Sequence, residues 1–290
     1  MKTLLFPLAV CLVMQTTPSY QSDMDAFRTH RAAEISGPTG WAALVGLHWI
    51  SPGEVIVGSD PISGIRLTGP SAPGRLGTLT VTGDNVHLRI STGLDAFVKG
   101  KQVYEVDLTP GAPAEDGVKI GGLTLVLIQR GARKALRVWD AKAPAVVNFK
   151  GLSWMPVDTK WRIDATWEPH PASQPRMKIL NVLGETVQMK NPGAVVFSVG
   201  GKTYRLEALL ESDDANELFF IFKDGTSDVT TYGAGRYLYT PLPKNGHVDL
   251  DFNQAKNPPC AFTSFATCPL PPAANKLTLA VKAGELYTKH

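Results

Sequence analysis

The chain has 290 residues, of which 43% are apolar, 8% aromatic and 19% charged. That composition is globular, so it excludes a disordered or collagen-like chain, and three cysteines in this length exclude a disulfide-dense scaffold. Twenty-nine Lys and Arg against 26 Asp and Glu leave a formal charge of +3 and no basic run, which excludes a nucleic-acid partner on electrostatic grounds.

At the start, Lys2 precedes an apolar run over residues 4–14, and the small residues Thr17-Pro18-Ser19 follow. The run is too short to cross a hydrocarbon core of about 30 Å as a helix. A single positive charge, a short apolar run and small residues make a secretory leader, with cleavage expected between Ser19 and Ser22. Residues 1–20 are therefore assigned to a signal peptide, and the mature protein is expected to be exported, periplasmic or secreted. No later run is long and apolar enough for a membrane span.

Residues 23–35 read as a short helix capped by Ser22, with Met24, Phe27, Arg31 and Ile35 near one face. Residues 41–50 fit both a helical and an alternating pattern; Gly46 and the following Pro52-Gly53 favour a strand and a turn. Strand signals then recur over 76–82, 86–90, 102–108, 123–129 and 134–139, with Gly83-Asp84-Asn85 and Gly131-Ala132 as turns. A looser stretch over 141–150 with Pro144 marks a boundary. Beyond it, strands are expected over 161–167, 195–199, 203–210, 217–222 and 247–252. Val199-Gly200-Gly201-Lys202 is a hairpin signal, and 277–282 is expected as a last strand. The prediction is a mainly β protein with a short N-terminal helix, an N-terminal β-sandwich domain over 21–145 and a second antiparallel β domain over 146–290.

With Cys11 in the leader, Cys260 and Cys268 remain. In an oxidising compartment they can close a short loop, a structural disulfide worth about 2.5 kcal/mol by loop entropy. A zinc site needs about four ligands. The nearest histidines, His247 and His170, are scattered, so neither a metal nor a cofactor is expected.

Polar residues concentrate between Asp224 and Asn257. Arg236 offers a planar fork of donors for a carboxylate or phosphate. Asp251 can orient that fork, or act as a base if burial raises its pKa. Tyr232, Asn253 and Asn257 can hydrogen-bond a ligand. Alternation within Val248-Asp249-Leu250-Asp251-Phe252 puts Asp249 and Asp251 on one face. Upstream, the same alternation puts Arg137 beside Trp139 on one strand face, a place for a stacked ligand or for domain packing. Asp158 and Arg162 stand four apart, able to pair across a turn. His48 is a second candidate base, should a pocket reach it.

The segments Thr231-Tyr232-Gly233-Ala234-Gly235-Arg236-Tyr237-Leu238, Asp251-Phe252-Asn253, Asn257-Pro258-Pro259-Cys260-Ala261-Phe262 and Ala266-Thr267-Cys268-Pro269-Leu270-Pro271-Pro272 together resemble the signature of domain-of-unknown-function family 1684. Phe149-Lys150-Gly151-Leu152, Pro156-Val157-Asp158, and Gly40-Trp41 with Gly46-Leu47-His48-Trp49 extend the resemblance upstream. It implies membership and no particular activity. Residues 53–139 are similar in layout to a forkhead-associated β-sandwich, through Gly58-Ser59, Val98-Lys99-Gly100-Lys101 and Ile120-Gly121-Gly122-Leu123. Ser59 stands where those modules carry an arginine, and no Ser-x-x-His follows, so this second resemblance implies a fold and not phosphopeptide binding.

Three functional classes stay open. The favoured one is an exported protein that binds a small polar or anionic ligand in a cleft between the two β parts, lined by Arg137, Tyr232, Arg236, Asp251, Asn253 and Asn257. The second is a metal-independent hydrolase using the same cluster, with Asp251 or His48 as base. No nucleophile elbow, phosphate-binding loop, dinucleotide fingerprint or zinc-protease motif accompanies it, so enzymatic activity is left open. The third is an envelope module that docks a protein partner through its proline-rich loop.

Overall fold

The computed structural model describes residues 19–288. The expected leader therefore lies outside the described residues, apart from its last two positions. The chain is built mainly of β-strands, as its alternating patterns require.

A 17-residue helix, α1 (Tyr20–Ser36), comes first; Ser19 caps it by accepting a hydrogen bond from the Ser22 amide. It thus starts one turn earlier than the sequence pattern suggests. Its buried residues Met24, Arg31 and Ile35 fall on one stripe, as a helix requires. A single 3₁₀ turn over Trp41–Ala43 then leads into β1 (Leu44–Trp49), which resolves the ambiguity of that segment in favour of a strand.

Ten more strands complete the N-terminal unit: β2 (Gly53–Gly58), β3 (Ile65–Arg66), β4 (Gly77–Thr82), β5 (Asn85–Ile90), β6 (Ala96–Val98), β7 (Lys101–Val103), β8 (Glu105–Asp107), β9 (Val118–Ile120), β10 (Leu123–Arg130) and β11 (Arg133–Asp140). They form one sheet in the order β1-β11-β10-β9-β6-β7 and another in the order β3-β2-β4-β5-β8. Val57, Leu79 and Leu88 from the second sheet pack on Leu125, Leu127, Leu136 and Val138 from the first, the side-chain layer of a sandwich.

Alternation leaves Val126, Ile128, Ala135, Arg137 and Trp139 on the other face of β10 and β11. A second apolar cluster forms there around Ala43, Leu44 and Trp139, with Trp41 and Phe265 against it. Phe265 comes from the far end of the chain, so this outer face is where the two units meet.

The C-terminal unit has β12 (Arg162–Pro169), β13 (Met177–Leu180), β14 (Thr186–Val199), β15 (Lys202–Leu210), β16 (Glu217–Phe222), β17 (Arg236–Pro241) and β18 (His247–Asp251). The sheet order is β17-β16-β15-β14-β12-β18, with β13 paired to the outer half of β14. The glycine-rich turn predicted at 199–202 joins β14 to β15, with Val199 opposite Lys202. One face of this sheet curls around a core of Val195, Phe197, Leu206, Phe220, Leu238 and Leu250, with Phe252 at its centre. Phe252 meets Trp161, Phe197 and Phe222 at ring-centroid distances of 6.2, 5.6 and 5.5 Å.

Two expectations are corrected. Residues 277–282 form no strand: they run extended, but their backbone groups are taken one at a time. Leu277 donates to the Lys223 carbonyl, Leu279 accepts from Gly225, and Val281 serves two side chains described below. The helix also leaves the unit that follows it in sequence. Arg28 donates to the Met155 carbonyl at 2.8 Å, Phe27 meets Trp154 edge-on, and Arg31 reaches Glu285. Hydrogen-bond donors on the C-terminal unit's loops, not chain proximity, decide where α1 docks.

Phe252→Ala is expected to lower unfolding stability by about 3–5 kcal/mol, the usual result of emptying an aromatic site in a closed core. A urea denaturation series reads this directly.

Candidate functional site

Arg236 opens β17 and is completely buried. Its guanidinium lies 3.1 Å from Asp224, donates to the carbonyl of Val281 at 3.1 Å and to that of Ala283, and has the Phe222 ring over it. Asp224 in turn accepts from the Val281 amide at 2.7 Å and from Thr226. Burial pushes the arginine's pKa down and Asp224 opposes that push. Gly235, at φ +105, lets the chain pass under Pro271; a Cβ there would sit 2.6 Å from both Pro271 and the Phe222 carbonyl. Arg236 is therefore a pin between β17, the 224–231 loop and the C-terminal segment. It does not pair with Asp251.

Asp251 ends β18, where the chain turns into a 3₁₀ turn over Phe252–Gln254 and the carboxylate accepts from the Asn253 amide at 3.0 Å. That turn breaks the expected alternation: Asp249 stays at the surface, pairing with Arg162 at 2.6 Å, while Asp251 is buried. Arg162 thus binds Asp249 and not Asp158, which pairs with Lys160. Both Asp251 oxygens accept from the Tyr20 hydroxyl at 3.0 Å, and Gln254 and the Asn253 amide group supply further donors. Asn253 also receives the Asp158 amide and donates to its carbonyl. These bonds dock the start of α1 on the C-terminal unit.

Asn257 donates to Glu285 at 3.0 Å and to the Leu286 carbonyl, while its own carbonyl accepts from Arg31 at 2.8 Å. Arg31, 3% exposed, lies between Glu34 at 2.9 Å and Glu285 at 3.5 Å. Burial raises the Glu285 pKa, opposed by Arg31 and by Asn257. Tyr232 donates to the Cys260 carbonyl at 3.1 Å and packs edge-on against Tyr287. His48 lies over Gly46, and its buried Nε2 has no hydrogen-bond partner; burial lowers its pKa. It lies apart from Asp251 in the fold, on β1 of the sandwich, so the two candidate bases do not form a pair.

Of the six proposed ligand-binding residues, Arg137 and Asn257 are brought together. They line a cleft of about 330 Å³ between the units, with Arg31, Glu34, Trp41, Arg130, Lys256 and Tyr239 also on its walls. Arg137 is half-buried on the outer face of β11. Its guanidinium sits 5.7 Å from the ring centre of Trp41 and 5.7 Å from that of Trp139, and its buried Nε has no partner. No carboxylate among the described residues pairs with it. Burial, with Arg130 adding to it, pushes its pKa down to about 10, and Cys268 opposes the shift. Arg130 reaches only neutral groups, the Gln129 carbonyl at 2.9 Å and the Thr267 hydroxyl at 3.5 Å. Lys256 lies over the Tyr239 ring at 4.8 Å, with Glu34 4.0 Å away. Burial lowers its pKa and Arg31 adds to the effect.

The two acids that line this cleft, Glu34 and Glu211, face four cations, and Arg31 already holds Glu34. The cleft is thus an electropositive recess with aromatic walls. Sequence reasoning missed Arg130, Lys256 and Trp41 as site residues. The alternation that placed Arg137 beside Trp139 was the available signal, and Arg130 sits on the neighbouring strand β10.

The third wall is the segment from Pro259 to Pro269. Cys260 and Cys268 are both free thiols here, and the Cys260 amide donates to the Cys268 sulfur at 3.1 Å. Among the described residues no group of three or more His, Cys, Asp or Glu is arranged to hold a metal, and no helix is long and apolar enough to cross a membrane.

A mainly β chain, with a charged recess roofed by a proline- and cysteine-containing loop, is the class that this geometry defines. The chain belongs to the family described as Protein of unknown function (DUF1684), whose model matches residues 147–286, the C-terminal unit. It is similar to an uncharacterized protein of Haloarcula marismortui solved by nuclear magnetic resonance in solution. The two share 33% identity over 48% of this chain and 78% of that one, with a TM-score of 0.41. No curated protein matches the chain.

Arg236→Met strands the buried Asp224 carboxylate without its cation and is expected to cost about 3–5 kcal/mol of stability. Arg236→Lys is expected to be destabilising too, since a point charge cannot serve the carboxylate and two carbonyls in one plane. Chemical denaturation of both variants checks this; wild-type midpoints would mean the pin carries no load.

Proposed function

We propose that the protein is exported and binds a small anion, a carboxylate or phosphate group on a compact molecule, in the cleft between its two β units. One observation carries this reading: the Arg137 guanidinium is half-buried between two indole rings, with no carboxylate to neutralise it, on the wall of a recess of about 330 Å³. Burying a cation without a counter-ion is unfavourable, and an incoming anion relieves it. Arg130 on the adjacent strand supplies a second unneutralised guanidinium, and two forks suit an oxyanion better than one. The volume is that of a small-ligand site, and domain junctions are a common place for one.

A hydrolytic reading gains no support from these residues. Asp251 is saturated by Tyr20, Asn253 and Gln254, and His48 has no carboxylate to orient it.

Calorimetric titration of the full-length protein with inorganic phosphate and with citrate tests the proposal. Saturable one-site binding is expected, weakening as salt is raised, because part of the attraction is long-range. Arg137→Gln removes a charge-assisted contact worth about 1.5–3 kcal/mol, so affinity is expected to fall roughly tenfold or more. The variant should fold normally, since no buried carboxylate loses its partner. Equal affinity in Arg137→Gln, or no binding of either anion, would overturn the proposal.

A further inference from the structure

The segment from Pro258 to Pro272 ties the two units together, and its two cysteines stand at the ends of the part that crosses between them. Within that part, the Thr263 hydroxyl donates to the Leu44 carbonyl at 2.8 Å, Phe265 packs against the outer face of the sandwich, and Thr267 meets Arg130. Outside it, the chain is held by the C-terminal unit. The Cys268 carbonyl accepts from Val182 at 2.9 Å, the Pro269 carbonyl from Tyr237 at 2.8 Å, and Leu270 donates to Leu180. Cys260 lies in a 3₁₀ turn over Pro259–Ala261, half-buried; Cys268 is buried and lines the cleft. A bond between them would close the excursion 261–267 into a fixed loop and would hold one wall of the cleft in place.

We infer that Cys260 and Cys268 are a reversible dithiol–disulfide couple, exchanging with a donor disulfide, and that oxidation tightens anion binding by fixing the cleft wall. The link to anion affinity rests on the function proposed above; the couple itself does not.

The exchange balances without any other reactant. The Cys260 thiolate attacks one sulfur of the donor disulfide, forming a mixed disulfide and releasing the first donor thiol. The Cys268 sulfur then attacks Cys260 and releases the second. Two thiols become one disulfide, and the two electrons and two protons end on the donor's thiols. Cys260 is suited to the first role because it is the more accessible of the two. Hydrogen bonding from the Cys268 thiol, aided by Tyr232, holds its pKa below the usual thiol value. Hydrogen bonding with Cys260, with burial and the Cys260 charge adding, pushes the Cys268 pKa well up, which suits the resolving role.

The test equilibrates full-length protein with mixtures of reduced and oxidised glutathione, alkylates the remaining thiols after acid quenching, and maps Cys260 and Cys268 by peptide mass. Both sites are expected to lose alkylation together as the mixture becomes oxidising, leaving one internal disulfide about 2 Da lighter than the dithiol. Cys268→Ser is expected to trap a glutathione adduct on Cys260, whereas Cys260→Ser leaves Cys268 largely unmodified. Phosphate titration of the two states is expected to show about three- to tenfold tighter binding when oxidised, from the smaller ordering cost. The Cys260→Ser, Cys268→Ser double variant should ignore the glutathione ratio.

Full alkylation at every ratio would overturn the couple. A disulfide that forms but leaves phosphate affinity unchanged would overturn its control of the cleft. A disulfide with no phosphate binding in either state would overturn the anion reading while supporting the couple.

Discussion

The C-terminal unit depends on a buried cation. Arg236 has no exposed surface, and its nitrogens are distributed over Asp224, the Val281 carbonyl and the Ala283 carbonyl. The chain from Val281 onward has no sheet partner, so these bonds are what keep it in place. Gly284, at φ +88, then turns the chain close over the Ala255 carbonyl, where a Cβ would stand at 2.5 Å. That turn brings Glu285 to Asn257 and Arg31, and through Arg31 the helix α1 is held. Glu34 of the same helix reaches toward Lys256 on the cleft wall. A chain of ionic and hydrogen-bonded contacts thus runs from the heart of the sheet to the rim of the recess, and each link needs the one before it.

Charges along that chain are of two kinds. Arg236 and Arg31 are buried with carboxylates and carbonyls around them, and their desolvation is offset on the spot. Arg137 and Arg130 are different: they sit where the two units meet, with aromatic rings and neutral groups for company. Aromatic faces hold a guanidinium in place at about 0.5–2 kcal/mol each and do not cancel its charge. A fold that needed only cohesion there would do better with apolar residues, as it does with Ala135 and Trp139 on the same face. The unneutralised pair is therefore the feature of the interface that stability does not explain.

Much of the fold is legible in the amino-acid sequence because β-pairing is local here. The hairpin at Gly200-Gly201 joins neighbouring strands, and alternation over Arg137-Val138-Trp139 assigns the outer face of β11 correctly. The polar cluster between Asp224 and Asn257 is also visible, but what its members bond to is not. Arg236 takes its carbonyls from residues 45 and 47 positions away, and Asp251 takes Tyr20 from 231 positions away. Such partners are set by the folded path of the chain, not by any periodicity. The extended run 277–282 shows the same point in reverse: its composition suits a strand, yet Arg236 and Asp224 claim the backbone groups of Val281 that a ladder would use.

The cleft was the hardest feature to foresee, since its walls come from α1, β10, β11, β17 and the 259–269 segment. Trp41 joins these walls physically. It packs on the outer cluster of the sandwich and on the cluster formed by Tyr237, Phe219 and Cys268, so one indole belongs to both units. Cys268 is in the second of these clusters, and Arg137 lies over the same indole. Any change in the position of the cysteine-bearing segment must therefore move against Trp41, and through it against the guanidinium. Because packed side chains shift between discrete arrangements rather than deforming smoothly, the oxidation state of two thiols and the seating of one arginine meet at a single shared ring.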